Sequence, residues 1–194
     1  MKILITGVAG FIGSNLANHL LTKNHQVIGL DNFDNYYSIA YKKKRVKNLK
    51  KFKKFKFVFI NLKDRKKVFK VFSKYKIQLV INLAAQAGVR NSFLDPKKYI
   101  DCNISSFLNI IFASKKYNVK KIIYASSSSV YGDAKKFPLN EKINFKQKNI
   151  YAVTKKLNEQ IAETYSIISK INFIGLRFFT IYGIWGRPDM LILK

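Results

Sequence analysis

Short apolar runs alternate along the chain with longer segments whose apolar residues recur at helical spacing. Lys2–Thr6 predicts a strand, Phe11–Lys23 a helix with Ile12, Leu16 and Leu20 on one face, and Gln26–Leu30 a second strand. Tyr41–Lys50 predicts a weaker helix, Phe55–Ile60 a third strand, Lys66–Lys76 a helix and Ile77–Leu83 a fourth strand. Asp95-Pro96 opens a long helix to about Tyr117, because proline suits the first helical position. Val119–Ala125 predicts a fifth strand, Tyr151–Ser169 a further helix and Ile171–Phe178 a sixth strand. Near-continuous apolar strands that alternate with helices belong in a parallel sheet covered on both faces. Six such strands joined by right-handed crossovers give an α/β, doubly wound, Rossmann-type dinucleotide-binding fold. No repeat, low-complexity linker or internal boundary interrupts the pattern, so residues 1–194 are expected to form one domain.

Composition narrows this picture. A chain that is 48% hydrophobic is globular rather than disordered. Its single cysteine, Cys102, excludes an internal disulfide and fits a reducing compartment. No apolar run reaches the ~18 residues a membrane span requires. The opening MKILITGVAGFIG lacks a small-residue cleavage site and reads as a buried strand rather than a signal peptide. A cytoplasmic protein with no membrane contact is the expectation.

The formal charge is +27, from 37 Lys and Arg against 10 Asp and Glu. Only five of the basic residues are arginines, whereas bidentate nucleic-acid readout favours arginine. Lys, Asn, Ile, Phe and Tyr all have AT-rich codons, so nucleotide bias alone yields much of the surplus. The densest run, YKKKRVKNLKKFKKFKF, holds ten basic residues between Lys42 and Lys56. Two readings of it stay open, a solvated coat and a patch for anionic partners, and the first is preferred. No nucleic-acid partner is expected.

Gly7, Gly10 and Gly13 form GxxGxxG between the first strand and the first helix. A pyrophosphate needs close approach of the backbone there, and the helix N-terminus offers N–H groups and the positive end of its dipole. Tight strand–helix packing also selects glycine, so the triplet gains its weight from an acid further along the chain. Asp31 comes 18 residues after Gly13, at the end of the second strand, where a carboxylate accepts hydrogen bonds from an adenosine ribose. It would repel a 2′-phosphate, and no arginine comes directly after it, which favours NAD over NADP.

Tyr151 and Lys155 stand at i and i+4 on one helix face, a spacing that chance also produces in a chain with 32 lysines. As a pair they could supply a tyrosine whose pKa is lowered by a neighbouring ammonium. Ser126–Ser129 lies just past the predicted fifth strand, at the sheet edge where ligands bind, and doubles as an ordinary serine-rich turn.

TGVAGFIG, Asp31-Asn32, LAAQAGVR (83–90), SSSSVYG (126–132), YAVTK (151–155) and LRFFTIYGIWGRPDM (176–190) together resemble the extended short-chain dehydrogenase/reductases. Among these the chain is most similar to the nucleotide-sugar epimerases of UDP-glucuronate 4-epimerase type, which serve polysaccharide biosynthesis. The resemblance implies NAD as cofactor, a UDP-sugar as substrate and no metal. It implies Tyr151 as the base for the sugar 4-hydroxyl, Lys155 as its electrostatic partner and Ser127 as hydrogen-bond partner of the reacting oxygen. Cofactor contacts are implied for Gly7, Gly10, Phe11, Ile12, Gly13, Asp31, Asn32, Asn61, Leu62, Leu83, Ala84, Ala85, Asn103, Ser126, Tyr151, Lys155 and Phe178. Substrate-side positions are Gln86, Arg90, Ser127, Ser128, Tyr151, Thr180 and Arg187, an arginine being suited to a hexuronate carboxylate. A homodimer through a four-helix bundle of Lys97–Tyr117 and Tyr151–Ser169 is implied as well.

Departures from the family pattern are informative. Related 4,6-dehydratases carry an Asp-Glu pair where Ser128 and Ser129 stand, and related uronate decarboxylases a Glu at Ser129, so epimerisation leads. Asn61, Asn82, Asn91 and Ile184 replace a usual Asp, His, Tyr and Pro. Family members continue beyond RPDM into a substrate-closing domain. The expectation is therefore that most of that domain is missing here, with NAD bound but turnover weak or absent. Three functions stand as alternatives: an epimerase, an NAD-binding remnant, and a basic binding module.

Overall fold

The computed structural model describes residues 1–134, 137–142 and 146–186. Six parallel strands form one sheet: β1 (Lys2–Thr6), β2 (Gln26–Asp31), β3 (Phe55–Phe59), β4 (Leu79–Asn82), β5 (Lys121–Ser127) and β6 (Asn172–Phe178). They are ordered β3-β2-β1-β4-β5-β6, so chain direction across the sheet reverses between β1 and β4 and opens a crevice at their C-terminal ends. The doubly wound α/β fold is as the periodicity requires.

Burial explains why the strands read as unbroken apolar runs. In β1, Leu4 faces a layer with Phe72 and Phe107, while Ile3 and Ile5 face another with Ala17 and Val46. All three β1 residues are essentially inaccessible. The helices are α1 (Phe11–Thr22), α2 (Ile39–Leu49), α3 (Arg65–Tyr75), α4 (Val89–Leu94), α5 (Pro96–Ile100), α6 (Ser106–Lys116) and α7 (Ile150–Ser169). Side chains set several of their starts: Asp64 accepts from the Lys67 N–H (3.0 Å) and Asn149 from the Ala152 N–H (2.8 Å).

Four expectations are corrected. The stripe that α1 buries is Phe11, Ser14, Ala17 and Leu21, not Ile12, Leu16 and Leu20. Small residues bring the helix axis close to the sheet, and Leu16 and Leu20 pack at the margin. The fourth strand starts at Leu79 rather than Ile77, because Lys76 takes a left-handed conformation (φ 46°) that ends α3. The fifth strand runs Lys121–Ser127 rather than Val119–Ala125, since Ser126 and Ser127 still pair with Arg177 and Phe178 of β6.

The long helix expected from Asp95-Pro96 to Tyr117 is α5, a π-helical turn at Asp101–Ser105, then α6, preceded by the unforeseen α4. The wide turn sends Asn103 inward, toward Gln86 and Thr154. Among the described residues, no helix is long and apolar enough to cross a membrane.

Candidate active site

The β1–α1 loop occupies the crevice at the reversal point. Gly7 takes φ +69° and lies so close to the next loop that a Cβ would come within 2.9 Å of the Ala84 backbone. A Cβ at Gly13 would sit 2.3 Å from the Gly7 carbonyl oxygen. Neither position accepts a side chain. Gly10 caps α1 without a side chain, and the first turn holds no acidic residue. The N–H groups around Phe11, Ile12 and Gly13 thus have no side-chain cap, and this end suits an anion.

Asp31 ends β2 beside this loop. Its Oδ2 accepts from the Ala9 N–H (2.9 Å) and its Oδ1 from the Phe33 N–H (2.8 Å). Burial pushes its pKa up, and the N–H groups of Phe33 and Ala9 with the Lys42 charge only partly offset that. The Asn32 side chain accepts from the Asp34 N–H, and that of Asn61 from the Lys63 N–H, so each shapes its own turn. Asn109 of α6 donates to the carbonyls of Leu62 (2.9 Å) and Lys63 (3.2 Å) and fixes the second turn.

Across the crevice, Thr6 Oγ1 donates to Asn82 Oδ1 (2.7 Å) and accepts from the Ala84 N–H (3.0 Å), joining β1 to the Leu83–Ala85 backbone. The loop continues to Gln86, which is locked by Asn103: Oδ1 accepts from its N–H (2.7 Å) and Nδ2 donates to its carbonyl (3.1 Å). Asn103 Nδ2 also donates to Thr154 Oγ1 (2.9 Å), and Thr154 donates to the Tyr151 carbonyl (2.8 Å). The cofactor-side loop is thereby tied to the helix turn that carries Tyr151.

Lys155 is 3% exposed, and its Nζ donates to the Ala125 carbonyl (2.8 Å) and lies 5.9 Å from the Tyr151 ring centre. Burial alone lowers its pKa to about 8. Tyr151 packs edge-on against Tyr99 at 6.4 Å between ring centres. On β5, Ser127 accepts from the Ser129 N–H (3.2 Å) and its Oγ lies 3.2 Å from Ser129 Oγ. Phe178 stands directly opposite Ser127 on β6. Ser128 lines a cavity of about 460 Å³ walled by Tyr131, Gly132, Phe137, Leu139 and Phe179.

Other expected contact residues are engaged with the protein itself, exposed, or outside the described residues. Ser126 donates to Glu159 Oε1 (2.7 Å), and Asn103 spends its amide on Gln86 and Thr154, so both side chains are committed to protein partners. Arg90 on α4 and Thr180 after β6 are exposed. Arg187 lies outside the described residues.

Sequence reading missed Glu159, Arg177 and Arg45. Glu159 forms a two-pronged pair with Arg177 (2.8 and 2.9 Å) under the serine turn. Burial opposes its ionisation, but the Arg177 guanidinium and the Ser126 hydroxyl hold its pKa below the usual carboxylate range. Its signal was present, because Tyr151, Lys155 and Glu159 share one helix face at i, i+4 and i+8. Among the described residues, no group of three His, Cys, Asp or Glu side chains could hold a metal ion.

Strand order β3-β2-β1-β4-β5-β6, with the β1–α1 loop at the point of reversal, defines the class as a doubly wound dinucleotide-binding protein. The chain belongs to the NAD dependent epimerase/dehydratase family, whose model matches residues 3–193. It is 48% identical to protein CapI of Staphylococcus aureus, over all of this chain and 58% of that protein. It is 42% identical to UDP-glucuronate 4-epimerase 2 of Arabidopsis thaliana, over 98% of this chain and 44% of the relative. Among solved structures, UDP-glucuronic acid 4-epimerase from Bacillus cereus, in complex with UDP-glucuronic acid and NAD, superposes with a TM-score of 0.93 at 34% identity. That match covers 100% of this chain and 61% of the other. The chain therefore spans between 44% and 61% of the length of these proteins.

Proposed function

We propose that the chain carries the cofactor-binding and proton-transfer unit of a nucleotide-sugar 4-epimerase that interconverts UDP-glucuronate and UDP-galacturonate. The observation that supports this most directly is the joint placement of Gly7, Gly13 and Asp31 on one side of the crevice and the Tyr151–Lys155 turn, tied to it through Asn103, on the other. NAD fits this cradle, because Gly7 and Gly13 of the loop that would meet its pyrophosphate have no room for side chains and Asp31 retains carboxylate lone pairs for a ribose. Bound there, NAD would supply the hydride acceptor, and then the hydride donor, for oxidation and re-reduction at the sugar C4.

The chain's own residues then handle the proton. The Tyr151 oxygen takes it from the sugar 4-hydroxyl, and Ser127 hydrogen-bonds the same oxygen during the transfer. The Lys155 ammonium stabilises the tyrosinate that accepts this proton, and the neutral Tyr151 phenol so formed returns it when C4 is reduced again. Phe178, opposite Ser127, is assigned to the cofactor side, and Gln86, Arg90, Ser128, Thr180 and Arg187 are assigned to the sugar side. Phe93, Leu94, Ile100, Val153 and Leu157, exposed on the adjacent α4, α5 and α7, support a homodimer.

The test is incubation of the purified chain with NAD and UDP-glucuronate, with the product resolved by anion-exchange chromatography. UDP-galacturonate should form and should fall by roughly 10²–10⁴-fold in Tyr151→Phe. Undiminished product in Tyr151→Phe overturns the base assignment. A second reading, a unit that binds NAD with little turnover of its own, is favoured by the 44–61% of relatives' length that the chain spans. NAD raising the melting temperature while no product forms would establish it.

A further inference from the structure

We propose that Arg45 is a positioning residue for the dinucleotide, holding the glycine-rich loop in its binding shape and latching residues 183–186 against the first turns of α1. Its role toward the dinucleotide rests on the proposed binding of NAD, whereas the latch is a property of the ligand-free chain.

Arg45 lies in the most basic stretch of the sequence, yet it points inward. It is 2% exposed, while its neighbours Lys43 and Lys44 are solvent-exposed. A guanidinium leaves water only where oxygens meet most of its fixed fork of donors, and of the Arg45 nitrogens Nε alone is buried without a partner among the described residues. Here Nη1 donates to the Ala9 carbonyl (3.0 Å) and to the Tyr37 hydroxyl, and Nη2 donates to the carbonyls of Trp185 and Gly186 (3.2 Å for the latter). The Tyr41 and Tyr37 rings lie 4.6 and 5.5 Å from it.

Ala9 belongs to the glycine-rich loop and is gripped at both ends. Asp31 accepts its N–H, and Arg45 donates to its carbonyl. The next peptide leads into Gly10, the side-chain-free cap of α1, so Arg45 fixes the orientation of the loop just before the helix N-terminus. Its second prong holds a segment that has left the sheet at β6 and come back to α1. Asn15 Nδ2 donates to the Ile184 carbonyl (3.1 Å), Gly183 lies beside Phe11, and the Trp185 ring packs on Tyr41 at 5.2 Å. One side chain thus joins the loop to this strap. Their free energies are therefore coupled: a ligand that orders the loop tightens the strap, and a docked strap favours the ligand. A lysine has one compact ammonium and can serve only one prong.

Trp185 is the only tryptophan of the chain and reports on the strap directly. Arg45→Met and Arg45→Lys are compared with the parent by far-ultraviolet dichroism, by Trp185 emission and by hydrogen exchange at residues 7–13 without ligand. Adenosine, ADP-ribose and NAD are then titrated. In ligand-free Arg45→Met, Trp185 emission should shift to the red and residues 7–13 should exchange faster, with α5–α7 unchanged. ADP-ribose and NAD should bind roughly tenfold more weakly and adenosine equally well, with Arg45→Lys between.

Unchanged emission and exchange in Arg45→Met overturn the latch. Equal weakening of adenosine and NAD, with exchange raised throughout, overturns the positioning role in favour of a general loss of stability. If Arg45→Met does not fold, Arg45→Lys carries both arms. If the parent chain binds no NAD, the cofactor reading and the role toward the dinucleotide both fail, and emission and exchange still decide the latch.

Discussion

Burying the Lys155 amine destabilises its charged form, and its one neutral oxygen partner, the Ala125 carbonyl, does not restore the ordinary value. Its pKa falls from 10.5 to about 8, which corresponds to roughly 3 kcal/mol of unfavourable burial when the ammonium is kept. Proton counting gives the sign. Between pH 8 and 10.5 the unfolded chain holds a proton that the folded chain has released, so this residue favours folding more as pH rises. Below pH 8 both states are protonated and the penalty is constant. Lys155→Met removes the dependence. In urea unfolding at pH 7 and pH 10, the stability of the parent relative to Lys155→Met should rise by roughly 2–3 kcal/mol at the higher pH. A difference that stays flat would exclude a buried ammonium.

Between elements, the Glu159–Arg177 pair joins α7 to β5 and β6. Each side chain is 15% exposed, and the pair is two-pronged, which is the geometry that makes an ion pair matter. Glu159→Leu alone should destabilise the chain by roughly 2–4 kcal/mol in urea unfolding, because Arg177 loses its carboxylate partner and keeps a neutral acceptor in the Glu141 carbonyl. Glu159→Leu with Arg177→Leu should recover much of that loss, and a double variant no better than the single one would exclude the pairing account. The doubly wound parallel sheet and the place of the glycine loop between β1 and α1 were legible from local spacing. The serine strand was misread at its end, since whether Ser126 and Ser127 extend β5 is decided by Arg177 and Phe178 some fifty residues later. The π turn escaped for the same reason. Nothing near Asn103 in sequence announces that it faces Gln86 and Thr154. Arg45 was hidden among lysines, where composition describes a coat and only folding separates the inward residue from the outward ones.

For the whole molecule, +27 is a force that acts between copies as well as within one. The exposed apolar residues of α4, α5 and α7 favour pairing of two chains, while like charge on both opposes it. The Debye length falls from about 30 Å at 0.01 M to about 8 Å at 0.15 M, so screening removes most of the repulsion and little of the apolar attraction. If the chain pairs through this face as proposed, sedimentation velocity should show the dimer fraction rising with salt over that range, and Leu157→Glu should remain monomeric throughout, because it places a charge in the proposed face. A dimer fraction that falls with salt would mean that ionic contacts hold the pair and that this face is not the interface. NAD and UDP-sugars carry negative charge, so their affinity should respond with the opposite sign and weaken as salt rises. Opposite salt responses of dimer and ligand would make the lysine coat a surface that steers anions and resists self-association, with the chemistry left to the crevice beneath it.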